Sequence, residues 1–135
     1  QEEISQAIFS RDELNELPIQ IQTQFFKLNE LDARLSVLTR LEVKFIRFRK
    51  EAGRSLNHVT LVTVLFDRDG KYVTGKEKTI EFRLLEGSLE KLGQSGLRAR
   101  TSFDVKPGTY IVRQVVRDAE GAQITALNRT VEIPF

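Results

Sequence analysis

Three features of the sequence predict an all-β fold: an immunoglobulin-like antiparallel two-sheet sandwich with a short N-terminal helix and one small helical insertion. About seven segments carry the period-two apolar alternation of half-buried strands. Turns rich in Gly and Asp separate them at near-regular spacing. Helical periodicity is confined to the start of the chain and to one stretch near Ser88.

The elements follow in order. Ile4, Ala7 and Ile8 recur at helical spacing, and Glu2 and Glu3 suit a helix N-terminus. Ser10 and Glu13 have capping-box spacing and predict a second short helical stretch, stopped before Pro18. Past Pro18, Ile19, Ile21, Thr23 and Phe25 share one face of a strand while Gln20, Gln22 and Gln24 share the other. Leu28 to Asp32 reads as a turn, and Leu35, Val37, Thr39 and Leu41 resume the alternation. The pattern slips at Phe45 and Ile46, as a bulge or a strand crossing between sheets would make it do. Glu51 to Ser55 is loop chemistry. Val59 to Phe66 is apolar on both faces and β-branched, as expected of a central strand. Asp67 to Gly70 is a turn, and strand character returns at Lys71 to Val73 and Ile80 to Leu84. In the helical insertion, Glu86 to Gln94, Ser88 is the expected cap and Gly93 the expected stop. Leu97 to Val105 alternates again, Pro107-Gly108 turns, and Tyr110 to Asp118 is a strand whose opening Tyr sits where sandwiches place a corner tyrosine. Ala119 to Gly121 turns into the last strand, Ala122 to Ile133. The expected core includes Ile19, Ile21, Leu35, Val37, Leu61, Val62, Val64, Phe66, Phe82, Phe103, Tyr110, Val112 and Val116. The chain divides into residues 1–17, an N-terminal helical segment, and 18–135, the sandwich domain.

Composition bounds the function. At 135 residues, 40% hydrophobic and 30% charged, the chain suits one domain that buries roughly two-thirds of its unfolded surface. The 21 Lys and Arg against 19 Asp and Glu leave a net charge of +2, short of the concentrated charge of a dedicated nucleic-acid binder. No apolar run approaches the ~18 residues of a membrane span, and no basic-then-apolar leader is present. Zero Cys excludes a disulfide scaffold, a thiolate zinc site and a cysteine nucleophile. A chain that lacks Met and opens at Gln1 reads as a processed product or an excised fragment.

The candidate chemical motifs have plainer readings. Gly70 to Lys76 matches most of a phosphate-binding loop, but Glu77 stands where the magnesium hydroxyl belongs and a strand is expected where the motif needs a helix. Asp67-x-Asp69-Gly70 resembles the middle of a calcium loop, but the first ligand would fall on Leu65 and Lys76 replaces the bidentate Glu. His58, the single histidine, cannot build a multi-histidine zinc site and reads as a surface residue at a strand entrance. The acidic pairs Glu2 with Glu3, Asp12 with Glu13 and Asp67 with Asp69 all lie in turns or helix starts. Asn128-Arg129-Thr130 fits a glycosylation sequon, which matters only in a eukaryotic secretory setting. Arg98 with Arg100, and Arg113 with Arg117, read as solvated strand faces that discourage edge aggregation. Between Lys44 and Arg54, basic residues interleave with Phe45 and Phe48, which suits single-stranded nucleic acid, although both rings are expected in the core.

Leu41 to Phe135 resembles a known family. The matching segments are FIRFRKEAGR (Phe45 to Arg54), VTVLFDRDGKYV (Val62 to Val73), SFDVKPGTYIVRQVVRDAEG (Ser102 to Gly121) and TVEIPF (Thr130 to Phe135). Together they look like the C-terminal immunoglobulin-like region of the bacterial, acidobacterial-type VWFA-related proteins, in which it follows a von Willebrand factor A-type domain. The resemblance implies export to the periplasm or outside the cell. The family's Asp-x-Ser-x-Ser metal motif does not occur here, so no metal residue carries over.

The expected function is therefore a non-catalytic structural or protein-interaction module of an exported bacterial VWFA-related protein. Its partner would be protein, either a neighbouring domain of the parent chain or an extracellular molecule. No catalytic, cofactor-binding or metal residue, and no cofactor, is expected. The alternative is nucleic-acid or anionic-polymer binding through Arg47, Arg49, Lys50 and Arg54, for which a steep salt dependence would be diagnostic.

Overall fold

The computed structural model describes residues 2–10 and 12–135. Two antiparallel sheets face each other. The larger holds β1 (Leu14–Asn15), β4 (Arg49–Glu51), β5 (Arg54–Asp67), β6 (Tyr72–Leu84), β8 (Gly108–Asp118) and β9 (Ile124–Ile133). The smaller has the order β2 (Ile19–Lys27), β3 (Ala33–Leu41), β7 (Leu97–Val105). Helix α1 is Glu2–Phe9 and α2 is Glu86–Ser95.

β5 is the organising strand. β6 runs along one of its edges, while β4 and then β8 occupy the other. Its apolar residues fall on both faces because both are covered. Val59, Leu61 and Leu65 point into the interior between the sheets, and Val62 and Val64 point outward beneath α1. The helix lays Ile4 and Ala7 on Val62, Val64, Val115 and Ala126, forming a third apolar layer outside the sandwich. The two-sided apolar run Val59 to Phe66 is thus explained by the small sheet on one face and helix α1 on the other.

Expected core residues are buried with one exception. Phe66 is half-buried on the outer face, edge-on to Phe9 and Tyr72 at centroid distances of 6.2 and 6.3 Å. Phe45 is also displaced from its expected place: its ring is 56% exposed, while Phe48 packs edge-on against Phe82 at 5.7 Å. The slip at this point is a 3-10 turn, Val43–Phe45, that carries the chain from the small sheet to the large one. The turn buries Val43 and ends at Phe45, and extended backbone resumes at Ile46, which is buried in its place, so the two-residue alternation does not run through Phe45.

Other differences have local causes. No helix follows Ser10; that reading also covers Arg11, which lies outside the described residues. Glu13 Oε2 and Glu16 Oε1 accept the Asn128 and Ile124 amides of β9 at 2.9 and 2.8 Å, so these acids satisfy a strand instead of capping a helix. The Glu51-to-Ser55 loop is a tight hairpin with Ala52 and Gly53 at φ 51° and 76°, the paired positive values of a two-residue turn. In α2, Leu85 takes the cap position and Gly96 ends the helix, its amide bonding the Leu92 carbonyl at 2.7 Å. Tyr110 is a corner tyrosine as expected, donating to the Lys106 carbonyl at 2.6 Å.

Candidate functional site

The predicted basic segment is neutralised in part: Arg49 and Lys50 have carboxylate neighbours, and Arg47 and Arg54 have none among the described residues. Arg49 pairs with Glu51 and, at 3.4 Å, with Glu120. Lys50 bonds the Ser55 hydroxyl and lies 3.8 Å from Glu86. Arg54 donates to the Arg83 carbonyl at 3.2 Å. Arg47 keeps an exposed side chain, and its carbonyl is fixed by the buried Asn57 amide at 2.8 Å. Lys44 sits over the Phe45 ring at 5.4 Å. Local turn sequence brings the cations together, but the hairpin and the β8–β9 turn bring the acids too.

Uncompensated charge lies on the outer face of the small sheet. Pairing aligns Gln20 with Arg40 and Arg40 with Arg98; the next row on that face is Gln22, Leu38 and Arg100. These residues, with Arg129 of β9, line a shallow concavity of about 970 Å³ that has no Asp or Glu in its lining. Arg98 and Arg100 are exposed and make no side-chain hydrogen bond or ion pair among the described residues. Arg129 donates to the Asn128 carbonyl, an uncharged partner. Arg40 alone has a carboxylate, Glu42, 3.2 Å from its Nε. Farther down the face the charge is quenched: Ser36 bonds Ser102 at 2.9 Å, and Arg34 pairs with Asp104 at 2.9 Å, which raises the guanidinium's pKa.

Glycine shapes this face. Gly96 has φ +74°, and a Cβ there would meet Arg40 Nε at 2.9 Å. The Arg40 side chain is therefore seated against bare backbone at the end of α2. Sequence reading identified Arg98 and Arg100 as a polar strand face but not the charge cluster. The available signal was three strands with basic or Gln residues on their polar phase; what joins them is β3–β7 register, which is non-local.

A second surface lies at the end of the β2–β3 hairpin. Phe26, Leu31 and Phe135 are 59%, 69% and 96% exposed, with Phe25 and Leu28 also exposed. Lys27 donates to the Pro134 carbonyl at 3.0 Å, which brings residues 134–135 alongside the hairpin. Asn29 Oδ1 accepts the Leu31 and Asp32 amides, and Lys106 holds Asp32 at 2.7 Å, keeping the Asp32 carboxyl below its ordinary pKa.

The other predicted features stay apart. His58 is exposed, 3.6 Å from Glu81. Asp67 Oδ1 accepts the Asp69 and Lys71 amides, so the Asp67–Gly70 segment is a self-bonded turn. Gly75 lies within β6, not before a helix. Arg113 and Arg117 are not a solvated face. Arg113 is 2% exposed, donating to the Ala7 carbonyl (2.7 Å), the Asp12 carbonyl (2.6 Å) and Asn128 Oδ1 (2.7 Å). Arg117 is half-buried and pairs with Glu3 at 3.3 Å. Both cations are covered by α1, whose docking a strand pattern alone does not reveal. Among the described residues, no three His, Cys, Asp or Glu converge as a metal-binding group, and no helix is long and apolar enough to cross a membrane.

Comparison with solved structures shows the fold. A glycosyl hydrolase family 2 member from Bacteroides cellulosilyticus DSM 14838 matches with a TM-score of 0.59 and 14% identity, over 89% of this chain and 16% of that one. A β-glucuronidase from glycoside hydrolase family 2 matches with a TM-score of 0.51 and 16% identity, over 84% of this chain and 11% of that one. Bacteroides uniformis β-glucuronidase matches with a TM-score of 0.50 and 15% identity, over 85% and 13%. The chain thus has the fold of a β-sandwich domain and spans less than a fifth of the length of these enzymes. No protein-family profile and no curated protein sequence matches it.

Proposed function

We propose that this chain is a non-catalytic sandwich module of a larger exported bacterial protein of the VWFA-related kind, and that it works by packing against another protein surface. The observation that carries this reading is the exposed apolar group at the β2–β3 hairpin end: Phe26, Leu28 and Leu31. Large apolar side chains clustered in water cost free energy, and such patches mark contact sites. Hydrogen bonds from Asn29 and ties from Lys27 and Lys106 hold the hairpin end in one shape, which reduces the ordering cost of binding. The similarity to small sandwich domains carried inside much longer bacterial enzymes supports the modular part of the reading. The four quoted sequence segments support the family, and an Asp-x-Ser-x-Ser domain upstream in the parent reading frame is the observation that tests it.

Pull-down with the parent protein tests the interaction. Removing the module, or substituting Phe26→Ser together with Leu31→Ser, should abolish capture of the partner without lowering the melting temperature. Unchanged capture defeats the proposal. Anionic-polymer binding through Arg47, Arg49, Lys50 and Arg54 is the weaker reading, because Glu51, Glu120 and Glu86 already accompany that segment.

A further inference from the structure

We infer that the outer face of the small sheet is a binding site for an acidic polysaccharide, a chain of carboxylate-bearing sugars. The site consists of Arg40, Arg98 and Arg100 with Gln20 and Gln22, and Arg129 of the large sheet borders it. It is distinct from the hairpin end and from the basic segment of residues 44–54.

The charge arrangement is the first argument. Arg40 and Arg98 stand directly opposite each other on neighbouring strands. Like charges in that position repel and destabilise the pair. One carboxylate, Glu42, accompanies the four guanidiniums, and no acid lines the concavity. An arriving anion relieves this repulsion. Guanidinium forks donate to carboxylates in a bidentate geometry, making charge-assisted hydrogen bonds stronger than neutral ones. Arg40 is already seated: its stem rests against Gly96, so it loses less freedom on binding than a loose surface arginine would.

The uncharged residues select among anions. Gln20 and Gln22 place two amides in the same rows as the arginines, each able to donate to and accept from hydroxyl groups. A polymer that alternates carboxylates with hydroxyls satisfies both sets at once. Single-stranded nucleic acid relies on aromatic stacking platforms, and these two rows contain no aromatic side chain; Phe26 lies two rows away, beside Arg34 and Asp104. An acidic peptide would be anchored by apolar side chains; in these two rows the apolar side chain is Leu38, half-buried between charged and amide neighbours, and Ile19 and Ile21, which also line the concavity, are committed to the core. Three strands at about 4.8 Å spacing make a face about 10 Å wide, the width of a single extended polymer chain.

The test is titration of the intact protein with an oligogalacturonate at low salt, followed by calorimetry and by amide chemical shifts. The expected result is binding that weakens steeply with salt and shifts signals in β2, β3 and β7. Arg98→Gln with Arg100→Gln should lower the affinity about tenfold or more, as loss of charge-assisted bonds predicts. These side chains are exposed and unpaired among the described residues, and Arg98 faces Arg40, so the melting temperature should hold or rise slightly. Lys50→Gln with Arg54→Gln should bind as the wild type does. Gln20→Ala with Gln22→Ala should weaken oligogalacturonate binding but not binding of polyglutamate, because only the sugar carries hydroxyls. Absence of oligogalacturonate binding, equal affinity of the Arg98/Arg100 variant, or equal or tighter binding of polyglutamate or single-stranded DNA by the wild type would each overturn the proposal. The readout is independent of partner capture through the hairpin end.

Discussion

Tyr110 is a residue whose role follows from position alone. It opens the penultimate strand after a Pro-Gly turn, its ring is buried among Leu65, Phe103 and Val131, and its hydroxyl donates to Lys106. Burial makes the phenolate costly, so its pKa is raised above the ordinary value. A group whose folded pKa is raised contributes stability in full below its unfolded pKa, near 10, and loses it as pH climbs through the folded value. Tyr110→Phe should cost about 1 kcal/mol at neutral pH, the hydrogen bond's net contribution. The gap between the two proteins in urea unfolding should shrink as pH rises past about 10. A gap independent of pH would show that burial does not raise the Tyr110 hydroxyl's pKa in the folded protein. Single residues of this kind were legible because the signal, Pro107-Gly108-x-Tyr110, is local. Arg40 was not legible, because its neighbours Gly96 and Arg98 are more than fifty positions away and reach it only through β-pairing.

Helix α1 shows the same division one level up. Its apolar spacing at Ile4, Ala7 and Ile8 announced a helix, and the two-sided apolar run in β5 announced a covered strand, but neither says that the first covers the second. Arg113 joins them. A helix leaves its last carbonyls without partners, and the Arg113 guanidinium takes the Ala7 carbonyl, then the Asp12 carbonyl beyond the helix end. Desolvation lowers the arginine's pKa, and Glu13 and Asp12 oppose that shift. No carboxylate bonds it directly among the described contacts, so its value lies in satisfying backbone oxygen. Arg113→Met keeps the length and apolar stem but strands those acceptors, and should cost about 2–4 kcal/mol. Limited proteolysis should then cut first within residues 1–13, as α1 lifts from Val62, Val64 and Val115. Arg113→Lys should recover only part of the loss, since an ammonium cannot span three acceptors with a planar fork. Resistance to proteolysis equal to the wild type would mean that Ile4 and Ala7 hold the helix without the latch.

Across the whole molecule the sandwich interior is two apolar clusters with a polar pair between them. Leu61 belongs to one cluster and Leu65 to the other, and Thr63 lies between them on the same face of β5. Gln114 stands opposite Thr63, between Val112 and Val116 of β8. The Thr63 hydroxyl donates to Gln114 Oε1, while Gln114 Nε2 is buried with no hydrogen-bond partner among the described residues. Alternation places Gln114 on an inward phase, but a single Gln within VRQVVR gives no sign of which face is dry. A half-satisfied buried amide is costly, and removing one partner strands the other. Thr63→Val should therefore cost about 1–3 kcal/mol by exposing both ends of the amide to an apolar interior. Thr63→Val combined with Gln114→Leu removes the unpaired polar atoms of this pair at nearly constant volume, and should match or exceed the wild type by about 1 kcal/mol. Urea unfolding of all four proteins closes the cycle. Simple addition of the two single-mutant costs would show that the pair is not coupled. If the double variant gains stability but its unfolding slope falls, the polar pair acts by fixing how the two clusters align, since a shallower slope reports a less compact or less cooperative fold.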